Sequence, residues 1–280
     1  MDLNISDLVI EATRKCNMGC EHCLRGDTQR KVISDQHVHK ILQLIDNVST
    51  LTVTGGEPTL AMDALDQIEN CIRYGNAGVG SFYMVTNGKS INVDNVANWA
   101  NRMLDCCDDN EISGVAFSFD DFHVSTFNWK QLQKQKKNYN RLADVLANDY
   151  GVYESGCGGP FVQKHSDEKW GYDRLIKEGR AKDSGSREND VRAFEESTYC
   201  DTIHFTESEL YLSCSGYIVS GCDWSYDTID NDDKIRICHI DDLNCQDDLI
   251  EAIRAYNKKT AVASQKKIAK IRKDRELQKA

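Results

Sequence analysis

Three cysteines within eight residues dominate the chemistry open to this sequence: Cys16, Cys20 and Cys23, in the stretch Cys16-Asn17-Met18-Gly19-Cys20-Glu21-His22-Cys23. Thiolates are soft ligands, and three of them in one loop can converge on a single inorganic centre. Gly19 is expected to let the chain curl that tightly. An iron–sulfur cube normally takes four cysteines. Three would leave one iron without a protein ligand, and an open coordination position is what distinguishes a catalytic from a structural metal site. The same residues also admit zinc, held with His22 or a distant ligand, or a set of unbound core thiols.

The segments around this loop must place it. Leu8-Val9-Ile10 reads as a buried strand leading into the cysteines, and Val38, Ile41, Leu42, Leu44 and Ile45 follow at helical spacing. Leu51-Thr52-Val53-Thr54 is a second strand, ending in Gly55-Gly56-Glu57-Pro58, and Leu60 to Ile72 returns to helix period. Phe82-Tyr83-Met84-Val85 is a third strand closed by Thr86-Asn87-Gly88. A helix over Val93–Leu104 follows, then a fourth strand at Gly114–Phe119 and a long polar helix from Trp129 to Leu146. Strand and helix alternating over short connections imply a parallel sheet of βαβ units, either a barrel or an open doubly wound sheet. Beyond Tyr150 the pattern weakens. From Thr202 the runs Ile203–Phe205, Glu209–Ser213 and Tyr217–Val219 alternate like short antiparallel strands, with Ser215-Gly216 as a turn. Ile250 to Tyr256 reads as helical.

Composition limits the setting. The 280 residues carry 34 Lys+Arg against 45 Asp+Glu, a net charge of −11, with 40% apolar residues, enough for a sizeable core. No apolar run is long enough to span a bilayer. The first residues have neither a basic nor an apolar region of a secretion signal, so a cytoplasmic location is expected. In that reducing compartment, twelve cysteines point to metal or redox chemistry rather than a disulfide framework. The acid excess disfavours nucleic acid as a partner of the whole surface. Residues 254–280 run against it, with ten Lys/Arg and only Asp274 and Glu276 as acids; they read as a basic terminal helix.

The spacing C-x3-C-x2-C after an N-terminal strand, followed by Leu24-Arg25-Gly26, resembles the radical S-adenosylmethionine (radical SAM) superfamily. Gly55-Gly56-Glu57-Pro58 is similar to that superfamily's GGE motif, Thr86-Asn87-Gly88 to its third-strand turn, and Phe117-Ser118-Phe119-Asp120 to its fourth-strand end. Gly179-Arg180-Ala181 resembles a later segment of many members. The resemblance implies a partial, open (β/α)6 TIM-like barrel over residues 1–195, a cysteine-containing hairpin extension over 196–253 and a terminal helix over 254–280. It implies a [4Fe-4S] cluster on Cys16, Cys20 and Cys23, and S-adenosyl-L-methionine (SAM) bound near Gly55, Gly56, Glu57, Asn87, Ser118, Asp120, Arg180 and His22. In that reading Glu57 accepts from the SAM amino group and Arg180 neutralises its carboxylate.

The implied activity is reductive cleavage of SAM to a 5′-deoxyadenosyl radical that takes hydrogen from a substrate, with an electron donor such as flavodoxin or ferredoxin. The hairpin extension resembles peptide-maturing members, which favours a peptide or protein side chain as substrate. A nucleotide, an RNA or another small molecule is the alternative, and a non-enzymatic iron–sulfur or zinc redox-sensitive binder is the reading of another class. Cys157, Asp121 and His123, near the expected strand ends, are candidates for handling the substrate radical. Cys200, Cys214, Cys222, Cys238 and Cys245 are spaced too irregularly for a compact ligand loop, so a single cluster is expected, with the extension as a wall over the open barrel.

Overall fold

The β-branched runs and the amphipathic stretches between them fold as alternating strands and helices. A computed structural model describes residues 2–89, 91–108, 113–118, 123, 125–150, 161–165, 176–183 and 189–277. Strands β1 (Asp2–Thr13), β2 (Asn47–Gly55), β3 (Gly78–Thr86), β4 (Gly114–Ser118) and β5 (Phe161–His165) pair in that order, all parallel. The crossovers carry α1 (Asp35–Gln43), α2 (Met62–Arg73), α3 (Val93–Leu104) and α4 (Trp129–Tyr150). Side-chain caps define two of the starts: Ser34 accepts from the His37 N–H, and Asn92 accepts from those of Asp94 and Asn95.

Five further strands complete the sheet: β6 (Glu195–Tyr199), β7 (Thr202–Thr206), β8 (Leu210–Leu212), β9 (Tyr217–Ser220) and β10 (Arg236–His239). The sequence pattern suggests an antiparallel set, and β6–β7, β8–β9 and β9–β10 are antiparallel. However, β7 and β8 both run parallel to β1, β7 beside Asp2–Ile5 and β8 beside Leu8–Ile10. Twelve residues long, β1 has a second edge that must be paired, and these two short strands cover it. The expected partial barrel therefore continues into the extension as one sheet. The register shows it directly: Ile218, Leu212, Ile10, Val53, Met84 and Val115 form one row across six strands, each fully buried. That row crosses the boundary expected at residue 195.

The two faces of the sheet differ. The row just described belongs to the main core beneath the helices, where Phe82 packs edge-on against Trp99 at 5.5 Å between centroids. On the other face, Val9, Tyr211 and Val219 lie under Trp224, Ile229 and Ile235 of the extension. Thr52 and Tyr83, in the same register row as Val9, remain half-exposed. Helix α5 (Tyr226–Asn231) and the segments flanking it therefore wall the β1–β9 half of this face, and among the described residues they do not extend over Thr52 and Tyr83. A last helix, α6 (Gln246–Leu277), buries Leu249, Ile250, Ile253 and Tyr256. No described helix is long and apolar enough to cross a membrane.

Candidate active site

The cysteine loop leaves the C-terminal end of β1, and Cys16, Cys20 and Cys23 are all free thiols, Cys20 buried and the other two half-buried. Backbone and side-chain bonds fix its course. The Cys16 N–H donates to Thr28 Oγ1 at 2.8 Å, whose hydroxyl donates to the Arg14 carbonyl at 3.2 Å; Cys23 N–H donates to the Cys20 carbonyl at 3.2 Å. Burial pushes the Cys16 thiol up, and the neighbouring Glu57 and Cys23 add to it. Gly19 differs from its expected role: it has no left-handed backbone, and a Cβ there would meet nothing within 4 Å. The tight curl comes instead from what surrounds the loop.

The Gly55-Gly56 pair supplies one wall. A Cβ on Gly56 would lie 2.4 Å from the Lys15 carbonyl oxygen and 3.0 Å from Cys16 Cβ, and one on Gly55 would lie 2.3 Å from the Thr13 carbonyl oxygen. The Gly56 and Glu57 N–H groups donate to the carbonyls of Thr13 and Lys15 at 2.7 and 2.8 Å. The glycines thus bring β2's end against the backbone that launches the first cysteine. Glu57, only 1% exposed, turns inward. Its carboxylate accepts from Thr59 N–H (3.1 Å), the Thr59 hydroxyl, the Thr86 hydroxyl (2.7 Å) and the Asn87 N–H (2.7 Å). Burial raises its pKa, while these donors oppose the shift. Through these four internal donors Glu57 ties β2's end to β3's end.

Asn87 and its neighbours form the second wall. Its side-chain amide donates to Asn17 Oδ1 at 3.0 Å and stands 4.0 Å from Cys16 Sγ, and Lys89 Nζ donates to the Asn17 carbonyl at 3.1 Å. Gly88 has φ +66, and a Cβ there would lie 2.5 Å from the Phe117 ring. Two residues that the sequence reading missed hold this turn from α4. Gln135, fully buried, donates to the carbonyls of Asn87 (2.5 Å) and Ser118 (3.2 Å), and Asn138 donates to that of Gly88 (3.2 Å). A polar pair at i, i+3 in line with buried Leu142, where an amphipathic helix ought to be apolar, is the signal that could have found them.

Arg180 closes the loop from behind. Its N–H donates to the Cys23 carbonyl at 2.9 Å, its Nε donates to the Cys20 carbonyl at 2.7 Å, and its guanidinium pairs with exposed Asp27 at 3.3 Å. Gly179 has φ +53, and a Cβ there would lie 2.3 Å from the Leu24 carbonyl oxygen. His22 packs edge-on against His123 at 4.6 Å between centroids, so two residues singled out separately meet over the loop. Ser118 ends β4 with its side chain half-exposed. Asp120, Asp121 and Cys157 lie outside the described residues.

The extension is latched to the loop by charge. Arg14, fully buried, donates to Glu11 at 2.9 Å, to Gln29 at 3.0 Å and in bidentate fashion to Asp230 of α5 at 2.6 and 2.9 Å; it also lies 4.6 Å from the Tyr226 ring centroid. Arg25 donates to the Trp224 carbonyl at 2.8 Å and stacks 4.9 Å from the Tyr211 ring centroid. Of the later cysteines, Cys200 lies in the β6–β7 turn and Cys245 is exposed before α6. Cys214 donates to the Glu11 carbonyl at 3.0 Å, and burial pushes Cys222 and Cys238 up to about 12. Among the described residues no group of three or more His, Cys, Asp or Glu side chains is gathered as for a single metal ion.

Residues 10–147 match the family model of the Radical SAM superfamily. No curated protein matches the chain by sequence. Among solved structures, native anSMEcpe with bound AdoMet and Cp18Cys peptide is 13% identical with a TM-score of 0.52, over 93% of this chain and 82% of that one. Native anSMEcpe with bound AdoMet and Kp18Cys peptide is 14% identical with a TM-score of 0.50, over 91% and 83%. BtrN in complex with AdoMet and 2-DOIA is 13% identical with a TM-score of 0.49, over 93% and 88%.

Proposed function

Because residues 10–147 of this chain are a domain of the radical SAM superfamily, we propose that the protein is an enzyme of that superfamily acting on a peptide or protein side chain. Enzymes of this superfamily use a [4Fe-4S] cluster and SAM. The non-enzymatic alternative is thereby set aside. The observation that carries the substrate reading is the fold likeness to a peptide-bound relative over 93% of the chain, a span that includes the extension. A small molecule or nucleotide would be the answer if peptides fail.

Cys16, Cys20 and Cys23 would hold the cluster, one thiolate to each of three irons; what supports this is that all three are free thiols in one loop, closed in by glycines at which a side chain would clash. When bound, the cluster supplies the electron that splits the SAM carbon–sulfur bond, giving methionine and a 5′-deoxyadenosyl radical. The chain's own work is positioning and exclusion. Glu57 holds the β2 and β3 ends in register, Asn87 presents its amide beside Cys16, and Gln135 sets the β3 end against Ser118. SAM is assigned to the β2–β4 half of the sheet face, above Gly55, Gly56, Asn87 and Ser118. Arg180 serves the loop carbonyls, and the wall from Trp224 to Ile235 keeps water from one side. A one-electron donor such as flavodoxin or ferredoxin and a reducing cytoplasmic setting belong to the same reading.

Anaerobic reconstitution tests it. About four irons per chain, 5′-deoxyadenosine from SAM with dithionite, and a mass change on a peptide substrate are expected. Loss of SAM cleavage on replacing Cys16, Cys20 and Cys23 by Ala is required; retained cleavage would refute the site.

A further inference from the structure

Helix α4 begins at the mouth of the proposed site and differs from its neighbours in charge. The first turns of α1, α2, α3, α5 and α6 each hold an acid, which suits the positive helix N-terminus. The first turn of α4 holds none and carries Lys130 instead. From Trp129 to Ala143 the helix has five Lys/Arg and no acid, in a chain whose net charge is −11. Lys130, Lys134, Lys137 and Arg141 recur at intervals of four, three and four residues, so they share one face, and all are exposed. Gln135, Asn138 and Leu142 form the buried face. Arg141 pairs with Asp94 at 2.6 Å, but no ion pair among the described residues engages Lys130, Lys134 or Lys137.

The stripe starts beside the cysteine loop. Phe127, two residues before α4, lies 5.9 Å under Lys89 Nζ, and Lys89 in turn donates to the Asn17 carbonyl. Trp129, the first residue of the helix, is 72% exposed at that end. Helix stability does not account for unpaired lysines at a positive helix end, nor for a solvent-facing tryptophan beside them. We propose that this face of α4 guides the substrate polypeptide by binding an acidic segment of it, remote from the residue that reacts. The proposal rests on the peptide reading above. The stripe from residue 130 to 141 is about 16 Å long, the span of about five extended residues. Carboxylates of such a segment complement the lysines, and Trp129 receives a side chain where the segment turns into the mouth.

Binding of a fluorescein-labelled decaglutamate peptide, read by anisotropy, tests this without turnover. The reconstituted full chain should bind it, and the affinity should fall with added salt. Lys130→Glu/Lys134→Glu/Lys137→Glu should weaken binding about tenfold or more, with dithionite-driven 5′-deoxyadenosine formation unchanged. The Lys130→Gln/Lys134→Gln/Lys137→Gln variant, checked by its melting curve, gives the same answer if the reversal perturbs folding. Equal binding by wild type and both variants would overturn the proposal. So would tighter binding of labelled decathymidylate through the same lysines, which marks a nucleic-acid surface. A fall confined to flavodoxin-driven cleavage would also overturn it, assigning the stripe to an electron carrier. Lysine-dependent decaglutamate binding with no peptide ever modified would remove the peptide reading while leaving the surface; modification indifferent to the lysines would do the reverse.

Discussion

Glu57 is held by partners that its sequence motif does not reveal. Its four donors come from Thr59, Thr86 and Asn87, and two of them are backbone N–H groups that no sequence pattern reveals. Glu57→Gln sets an amide donor against those donors, and leaving one buried donor unmet should cost about 1–3 kcal/mol. Urea unfolding should register that loss with iron binding retained; unaltered stability together with weaker SAM binding would return Glu57 to direct contact with the cofactor. Glycine gives a second contrast. Gly56→Ala would drive a methyl into the Lys15 carbonyl and should lower iron per reconstituted chain, whereas Gly19→Ala has open space and should load like wild type. The cysteine spacing, the glycine pair and the Thr86-Asn87-Gly88 turn were legible because each is local in sequence. What the glycines approach was not, because Thr13 and Lys15 are brought there only by β1–β2 pairing.

Strands and helices of the first half were readable for the same reason that they form. Val93–Leu104 shows its period through Val96, Ala97, Ala100 and Leu104, all buried, and the helix occupies that range. The latch between β1 and α5 was invisible, since Arg14 and Asp230 stand 216 residues apart. Burial alone would raise the Asp230 carboxyl, but the hydrogen bonds from Arg14 and Lys31 outweigh it and bring it down to about 2 from an ordinary 3.8. A carboxyl whose folded pKa is depressed contributes stability that is present above the unfolded value and is lost as pH falls toward the folded one. Asp230→Asn leaves buried Arg14 with Glu11 as its one remaining carboxylate partner among the described residues, beside the neutral Gln29. It should cost about 2–3 kcal/mol near neutrality, less than a fully buried pair because Asp230 is partly exposed. The gap between variant and wild type should close between about pH 4 and pH 2. Unfolding free energies measured across that range check the sign, and a gap that widened with acid would rule out the latch as an ionised pair.

At the scale of the whole molecule, the question is whether the extension is an accessory or part of the barrel. Alternating short strands after Thr202 suggested an appended hairpin, because alternation reports which face a residue takes and not which strand it pairs with. In the structure β7 and β8 are the only described cover for the second edge of β1, and Leu212 and Ile218 continue the buried row of Ile10, Val53 and Met84. A chain ended at Ala193 would strip both strands from β1 and leave Leu3, Ile5, Leu8 and Ile10 at an unpaired edge, an invitation to intermolecular pairing. It would also leave Arg14 and Arg25 without Asp230 and Trp224. Such a chain should aggregate, or unfold without a cooperative transition, although it contains every residue of the cysteine loop, the Gly55-Gly56-Glu57 turn and Arg180. A chain ended at Ala263 keeps the whole sheet and Leu249, Ile250, Ile253 and Tyr256 in the core, and its unfolding midpoint should stay close to that of the full chain. Size-exclusion chromatography and urea unfolding of the two chains decide it. A monomeric, cooperatively folded chain ended at Ala193 would make the extension a separable module and would move the cause of the loop's geometry back into β1–β4 alone.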